Sequence, residues 1–216
     1  MRTTHRLGAI LGVIALMIPA VPAAAHKPHR DRSVSPVTFL SDSTRTVGWS
    51  SLVRDDDGVH MMFRSSELGA NAAITIWWVV FNNPNGCSNP CGPDDLFLNG
   101  DPTQGFNEAQ IEAAQIVAGY STGRVANEDG KATFRDSLLA GAVGDELIVG
   151  SGPLIQDSRV AEIHVVARTH GPAIPGLVDE QLGSYAGGCE VFLLPGSDTG
   201  NAVGVCADFQ SATHLP

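Results

Sequence analysis

The chain has 216 residues, 13 Lys and Arg against 23 Asp and Glu, and a formal charge of −10, with 43% hydrophobic and 17% charged residues. That composition suits one ordinary core and excludes a disordered chain or a coiled coil. Its negative charge opposes the counterion release on which nucleic-acid binding depends, and equally opposes docking on anionic lipid.

In chain order, residues 1–25 read as a secretory signal: Arg2 and Arg6, an apolar stretch over 7–21, then Ala23, Ala24 and Ala25 as a cleavage site. The stretch is too short to span a bilayer, and Pro19 and Pro22 interrupt it, so no membrane insertion is expected. Cleavage removes both arginines and leaves a mature chain of about 191 residues with a charge of about −12, secreted or periplasmic. Residues 26–36 mix His, Lys, Arg, Ser and Pro and predict a flexible arm; a single domain is expected over 37–216.

The body predicts strands. Residues 46–54 place Val47, Trp49 and Val53 on one face, and 59–65 place Val59, Met61 and Phe63 on one face, with Asp55 to Gly58 as the turn between them. Residues 74–81 are apolar on both faces, as a strand covered on both sides requires. The stretch 82–107 is long for a connection and reads as a functional loop or insertion. Residues 108–118 predict the one short helix, whose end could equally begin a strand. Strands over 120–126 and 131–139 flank Asn127-Glu128-Asp129-Gly130, whose Asp-Gly pair supplies the positive backbone angles of a tight turn. Residues 146–149 and 161–169 add two more. Short strands at regular spacing indicate an all-β, antiparallel β-sandwich, Greek-key-like, with about eight or nine strands and a long disulfide-stapled loop.

Four cysteines in an exported chain read as two disulfides. Residues 189–194 and 201–206 flank a run of turn residues, so a hairpin pairing Leu194 with Asn201 sets Cys189 opposite Cys206. Cys87 and Cys91 then staple a tight loop. A zinc site is disfavoured, because C-x3-C lacks a paired second half and no His lies nearby.

Gly119-Tyr120-Ser121-Thr122-Gly123 matches G-x-S-x-G, but a predicted hairpin follows where the nucleophile motif needs a helix. Alternation over 162–170 places Glu162, His164, Val166, Arg168 and His170 on one face, opposite Ile163, Val165 and Ala167. Glu162 and His164 point at one site, which His60 could join as a metal ligand if the early hairpin lies adjacent; Arg168 and His170 complete the surface to test. A mature N-terminus at His26, with His29 nearby, offers a Cu(II) chelate. The Asp55-Asp56-Asp57-Gly58 run lacks the ligand spacing of a calcium loop and reads as a turn. Adjacent Trp77 and Trp78 point to opposite faces, so at most one can serve as a sugar platform and core packing is expected for both.

The stretch Thr75-Ile76-Trp77-Trp78-Val79-Val80-Phe81-Asn82-Asn83-Pro84, together with the segments 122–134 and 161–172, resembles a family of exported bacterial proteins of unassigned function. His170-Gly171-Pro172-Ala173 after its strand also resembles the His-containing strand and Gly-Pro turn of CHRD domains, which are extracellular β-sandwich modules. The resemblance implies export and a sandwich, and no activity. The sequence therefore predicts an exported soluble binding or structural module with an extracellular protein or carbohydrate partner and no cofactor. The alternative is a metal-dependent enzyme, using copper or zinc at the His164 face.

Overall fold

The computed structural model describes residues 30–88, 90–196 and 202–216. The predicted signal segment, His26 and His29 lie outside these residues. The strands are β1 (Asp31–Phe39), β2 (Thr46–Arg54), β3 (Gly58–Ser65), β4 (Ala72–Phe81), β5 (Ile116–Val125), β6 (Ala132–Leu139), β7 (Leu147–Val149), β8 (Glu162–Pro172), β9 (Val191–Phe192) and β10 (Val205–His214). Short helices α1 (Pro93–Leu96), α2 (Glu108–Ala114) and α3 (Val178–Gly183) lie in the connections.

All strands belong to one sheet in the order β6-β3-β2-β1-β10-β8-β4-β5-β7, with β9 beside β10. The sheet curls until its two ends meet. There the Ser121 hydroxyl of β5 donates to Asp136 Oδ2 of β6 (2.8 Å), and Arg124 donates to the Thr133 carbonyl. The all-β antiparallel class predicted from alternation is the one observed, and the two layers facing across the core are halves of one curled sheet. Its inner face buries Leu52, Val59, Phe63, Ile74, Ile76, Trp78, Ile163, Val165 and Phe209 in a single cluster. Phe63 meets Phe134 edge-on at 6.1 Å.

β4 is buried at all ten positions. Its second face meets a smaller cluster in which α2 contributes Ile111 and Ala114 against Val79, Phe81, Ile116 and Val149. Expected features of the sequence appear in place: the Asp55–Gly58 turn, where the Asp55 amide donates to the Gly58 carbonyl (3.0 Å), and the Asn127–Gly130 turn, where Gly130 has φ 69°. The helix predicted over 108–118 stops at Ala114, because Gln115 takes a left-handed conformation (φ 49°) and Ile116 opens β5.

Four expectations are corrected. Residues 31–36, read as part of an arm, belong to β1, which pairs with β2 from Asp31 to Thr38; the slot between β2 and β10 supplies hydrogen bonds that a polar, Pro-containing segment does not advertise. In β2, the inward residues past Val47 are Ser50, Leu52 and Arg54, whereas Trp49 and Val53 are only half-buried. A bulge opposite Val37 and Thr38 adds one residue at Val47 and inverts the alternation beyond it. The helices α1 and α3 join the one predicted. The Cys-flanked segments do not form a hairpin: β9 runs parallel to β10, Val191 beside Val205 and Phe192 beside Cys206. The predicted disulfides are nonetheless both present, Cys87–Cys91 and Cys189–Cys206, with Cα separations of 5.1 and 5.6 Å.

Candidate functional site

Strand β8 carries most of the residues singled out from the sequence. Its outer face is half-buried at His164 and Val166 and fully buried at Arg168 and His170. The segment from α3 to β9 folds over it, so Arg168 and His170, read as surface residues, are 1% and 0% exposed. The covering segment folds tightly on itself at Gly187, where a Cβ would stand 1.9 Å from the Glu180 carbonyl oxygen.

The polar groups under this layer pair with one another, apart from Arg168 Nη2, which is buried without a hydrogen-bond partner. Arg168 donates through Nε to the Tyr185 carbonyl (2.8 Å) and through Nη1 to Asp208 Oδ1 (2.9 Å), while its guanidinium lies 3.8 Å from the Tyr185 ring centre. The Tyr185 hydroxyl donates to the other Asp208 oxygen (2.9 Å), and burial followed by the Asp208 charge raises its pKa. Trp77 stands edge-on to Tyr185 at 5.0 Å and to Tyr120 at 5.5 Å, a buried structural role for this tryptophan.

His170 joins the same array. Its Nδ1–H donates to the Gly187 carbonyl (2.8 Å), so Nε2 accepts from the Thr75 hydroxyl (2.9 Å), which in turn accepts from Trp77 Nε1 (2.8 Å). That assignment uses both ring nitrogens of a neutral imidazole. Burial pushes the His170 pKa down to about 4, reinforced by Arg168 and opposed by the Gly187 hydrogen bond. Gln181 of α3 closes the layer by donating to the carbonyls of His170 and Pro172, each at 3.1 Å.

Glu162 and His164 do come together: His164 Nε2 donates to Glu162 Oε1 at 2.7 Å, and its ring packs 4.9 Å from Phe81. His60 is not with them. It lies on the outer face of β3, four ladder steps from β8, which is roughly 19 Å along the sheet at the usual strand spacing. There its Nε2 donates to Asp55 (3.3 Å) and its Nδ1 accepts from Ser137 (2.7 Å).

Ser121 occupies a bulge, since Ile76 pairs with Thr122 and Trp77 with Tyr120. The bulge turns the hydroxyl onto Asp136, which also accepts from Trp78 Nε1 (3.3 Å). Among the hydrogen bonds described, no histidine reaches Ser121, so the G-x-S-x-G letters here mark a strand irregularity.

The 82–107 connection is ordered around one carboxylate. Asp95 is fully buried and accepts from the Ser88 amide (2.8 Å) and hydroxyl (3.0 Å), the Gly92 amide (2.8 Å) and Gln110 Nε2 (3.1 Å). Burial alone would raise its pKa; these hydrogen bonds outweigh it and hold the carboxyl below the usual range. With the Cys87–Cys91 bridge they fix a loop whose outer end pairs Phe97 with Phe106 in an isolated bridge, their rings stacked at 5.7 Å and 18°. Phe106 and Leu98 are exposed beside the side chains of Asn99, Asp101 and Gln104.

Sequence reasoning missed Tyr185, Asp208, Thr75 and Asp95. A run such as Pro90-Cys91-Gly92-Pro93-Asp94-Asp95 signals a turn with a capping acid, which was the one local trace of Asp95. Comparison of the chain with protein families, curated proteins and solved structures finds no match. Among the described residues no helix is long and apolar enough to cross a membrane.

Proposed function

We propose that the chain is an exported binding module which presents the 82–107 loop to a neutral polysaccharide. The observation that carries this reading is the exposed Phe106 ring stacked on half-buried Phe97, on a loop held by a disulfide and a buried carboxylate. A ring face takes the C–H face of a sugar, and the neighbouring Asn99, Asp101 and Gln104 offer donors and acceptors for hydroxyl groups. Holding those groups in place before binding lowers the entropy cost of association. The acidic balance disfavours nucleic acid and anionic polymers, and the signal-like segment with two disulfides supports export.

Phe106→Ala is expected to cost about 2 kcal/mol of binding, roughly thirtyfold in affinity. Co-sedimentation with insoluble cellulose, chitin and unsubstituted glucans measures it, and thermal melting of the variant should match the wild type because the ring is exposed. Equal retention of wild type and Phe106→Ala, or no retention of either, removes the proposal.

A second reading, a copper or zinc site at the His164 face, rests on the 2.7 Å Glu162–His164 contact. It predicts a stoichiometric ion in protein purified without chelator that is lost in His164→Ala. Elemental analysis decides it, and metal-free wild type rejects it.

A further inference from the structure

His170, Cys189 and Cys206 stand apart from both sites above. Their ligand atoms all lie within 4.8 Å of one another. His170 Nδ1 is 3.7 Å from Cys189 Sγ and 3.6 Å from Cys206 Sγ. Around a tetrahedral zinc ion, with Zn–S near 2.3 Å and Zn–N near 2.05 Å, sulfur and nitrogen ligands are separated by about 3.6 Å. The imidazole nitrogen therefore already stands at ligand distance from both sulfurs. Only the S–S separation must grow, from a bond to about 3.8 Å.

We propose that the Cys189–Cys206 disulfide is the oxidised, metal-free form of a Cys2His site for a soft divalent cation, zinc in the first place. An external dithiol delivers two electrons and two protons, so that the S–S bond becomes two thiols and the dithiol becomes a disulfide. The incoming Zn2+ displaces both thiol protons to solvent, and two Zn–S bonds form. The imidazole remains neutral: its proton leaves Nδ1 and is carried on Nε2, where the Thr75 oxygen accepts it, while Nδ1 binds the metal.

Three further features fit this chemistry. Thr75 and Trp77 hold the far side of the ring, the kind of outer support that orients a metal-bound histidine. Loss of the Nδ1 proton frees the Gly187 carbonyl, now 2.8 Å from Nδ1 and 3.7 Å from Cys189 Sγ, to serve as an oxygen donor at the fourth position. Cys206 and His170 are fully buried, and half-buried Cys189 gives the route by which reductant and ion arrive. In the oxidised protein the sulfurs are spent on one another, so metal uptake is gated by reduction.

The experiment uses the mature chain carrying Cys87→Ser and Cys91→Ser, which leaves Cys189 and Cys206 as its only thiols. It is reduced with a phosphine that does not bind the metal. One equivalent of Zn2+ is expected to bind and to slow alkylation of both thiols by at least tenfold, read by mass spectrometry. Co2+ in its place should show a thiolate charge-transfer band and the visible bands of a tetrahedral site. The oxidised chain should show neither effect. His170→Asn should weaken Zn2+ binding by at least tenfold, and Cys189→Ser should abolish the two-thiolate spectrum, with near-ultraviolet circular dichroism confirming that each remains folded. Absence of uptake on reduction, uptake unaffected by His170→Asn, equal uptake by the oxidised chain, or loss of the fold on reduction each overturns the proposal. If His170→Asn does not fold, thiol protection and the Co2+ spectrum of the parent chain decide.

Discussion

Arg168→Ala is expected to destabilise the protein by about 3–5 kcal/mol, because it leaves Asp208 Oδ1 and the Tyr185 carbonyl without the guanidinium that donates to them, and the Asp208 charge without its counter-ion. For a chain of this size that corresponds to a fall in melting midpoint of roughly 6–20 °C. The magnitude comes from abandonment of partners more than from the intrinsic strength of the pair. Arg168 itself is 1% exposed, and its Nη2 is buried without a hydrogen-bond partner, so the wild-type guanidinium already bears a desolvation cost. The double variant Arg168→Met, Asp208→Asn removes both charges while keeping volume and the acceptor for Tyr185. It is expected to recover more than half of the loss. Urea titrations of the two variants check this, and a double variant as unstable as Arg168→Ala would show that packing against Tyr185, rather than charge, sets the cost.

Acidification should weaken the fold in a defined window. Burial pushes both His170 and His214 down to about 4, from an ordinary value of 6.5. His214 lies between the hydroxyls of Ser33 (2.8 Å) and Ser50 (2.9 Å), near the charge of Arg54. Below pH 6.5 the unfolded chain takes up protons that the folded chain refuses until about pH 4, so stability is whole above 6.5 and falls as pH falls toward 4. Each histidine accounts for about 3 kcal/mol across that interval. Aspartates 55 and 95, whose pKa values are lowered in the folded state, add a further loss that begins below their ordinary value of 3.8. Denaturant unfolding of wild type and His214→Gln at several pH values between 4 and 7 tests the first window. The slope of stability against pH should be about half as steep in the variant, and identical slopes would contradict the assignment.

Much of the fold was legible because the information is local. Strand alternation in β3 and β8, the doubly apolar β4, and the Asp-Gly turn between β5 and β6 each depend on residues within a short window. The misses share a different origin. Strand β10 continues from Cys206 to His214 through Asp208, Gln210 and Ser211, and a bulge beside Phe209 breaks its period. Its polar residues are accommodated inside the sheet, where Ser65 donates to Gln210 Oε1 (2.6 Å) and Gln210 donates to the Ser66 carbonyl (3.0 Å). Buried polarity of this sort is satisfied across more than a hundred residues of chain and leaves no mark in a window of ten.

The composition, the all-β class and the pairing of four cysteines were thus set by the amino-acid sequence read alone. Only the tertiary structure decided that the Arg168 and His170 end of the β8 outer face is roofed, that His60 stands away from His164, and that His170 faces the Cys189–Cys206 sulfurs. The physical reason is that alternation tells which side of a strand leaves water but not what covers the other side. Arg168 meets Asp208 forty residues on, and His170 meets Thr75 ninety-five residues back, through ladders whose register depends on bulges that no local pattern announces.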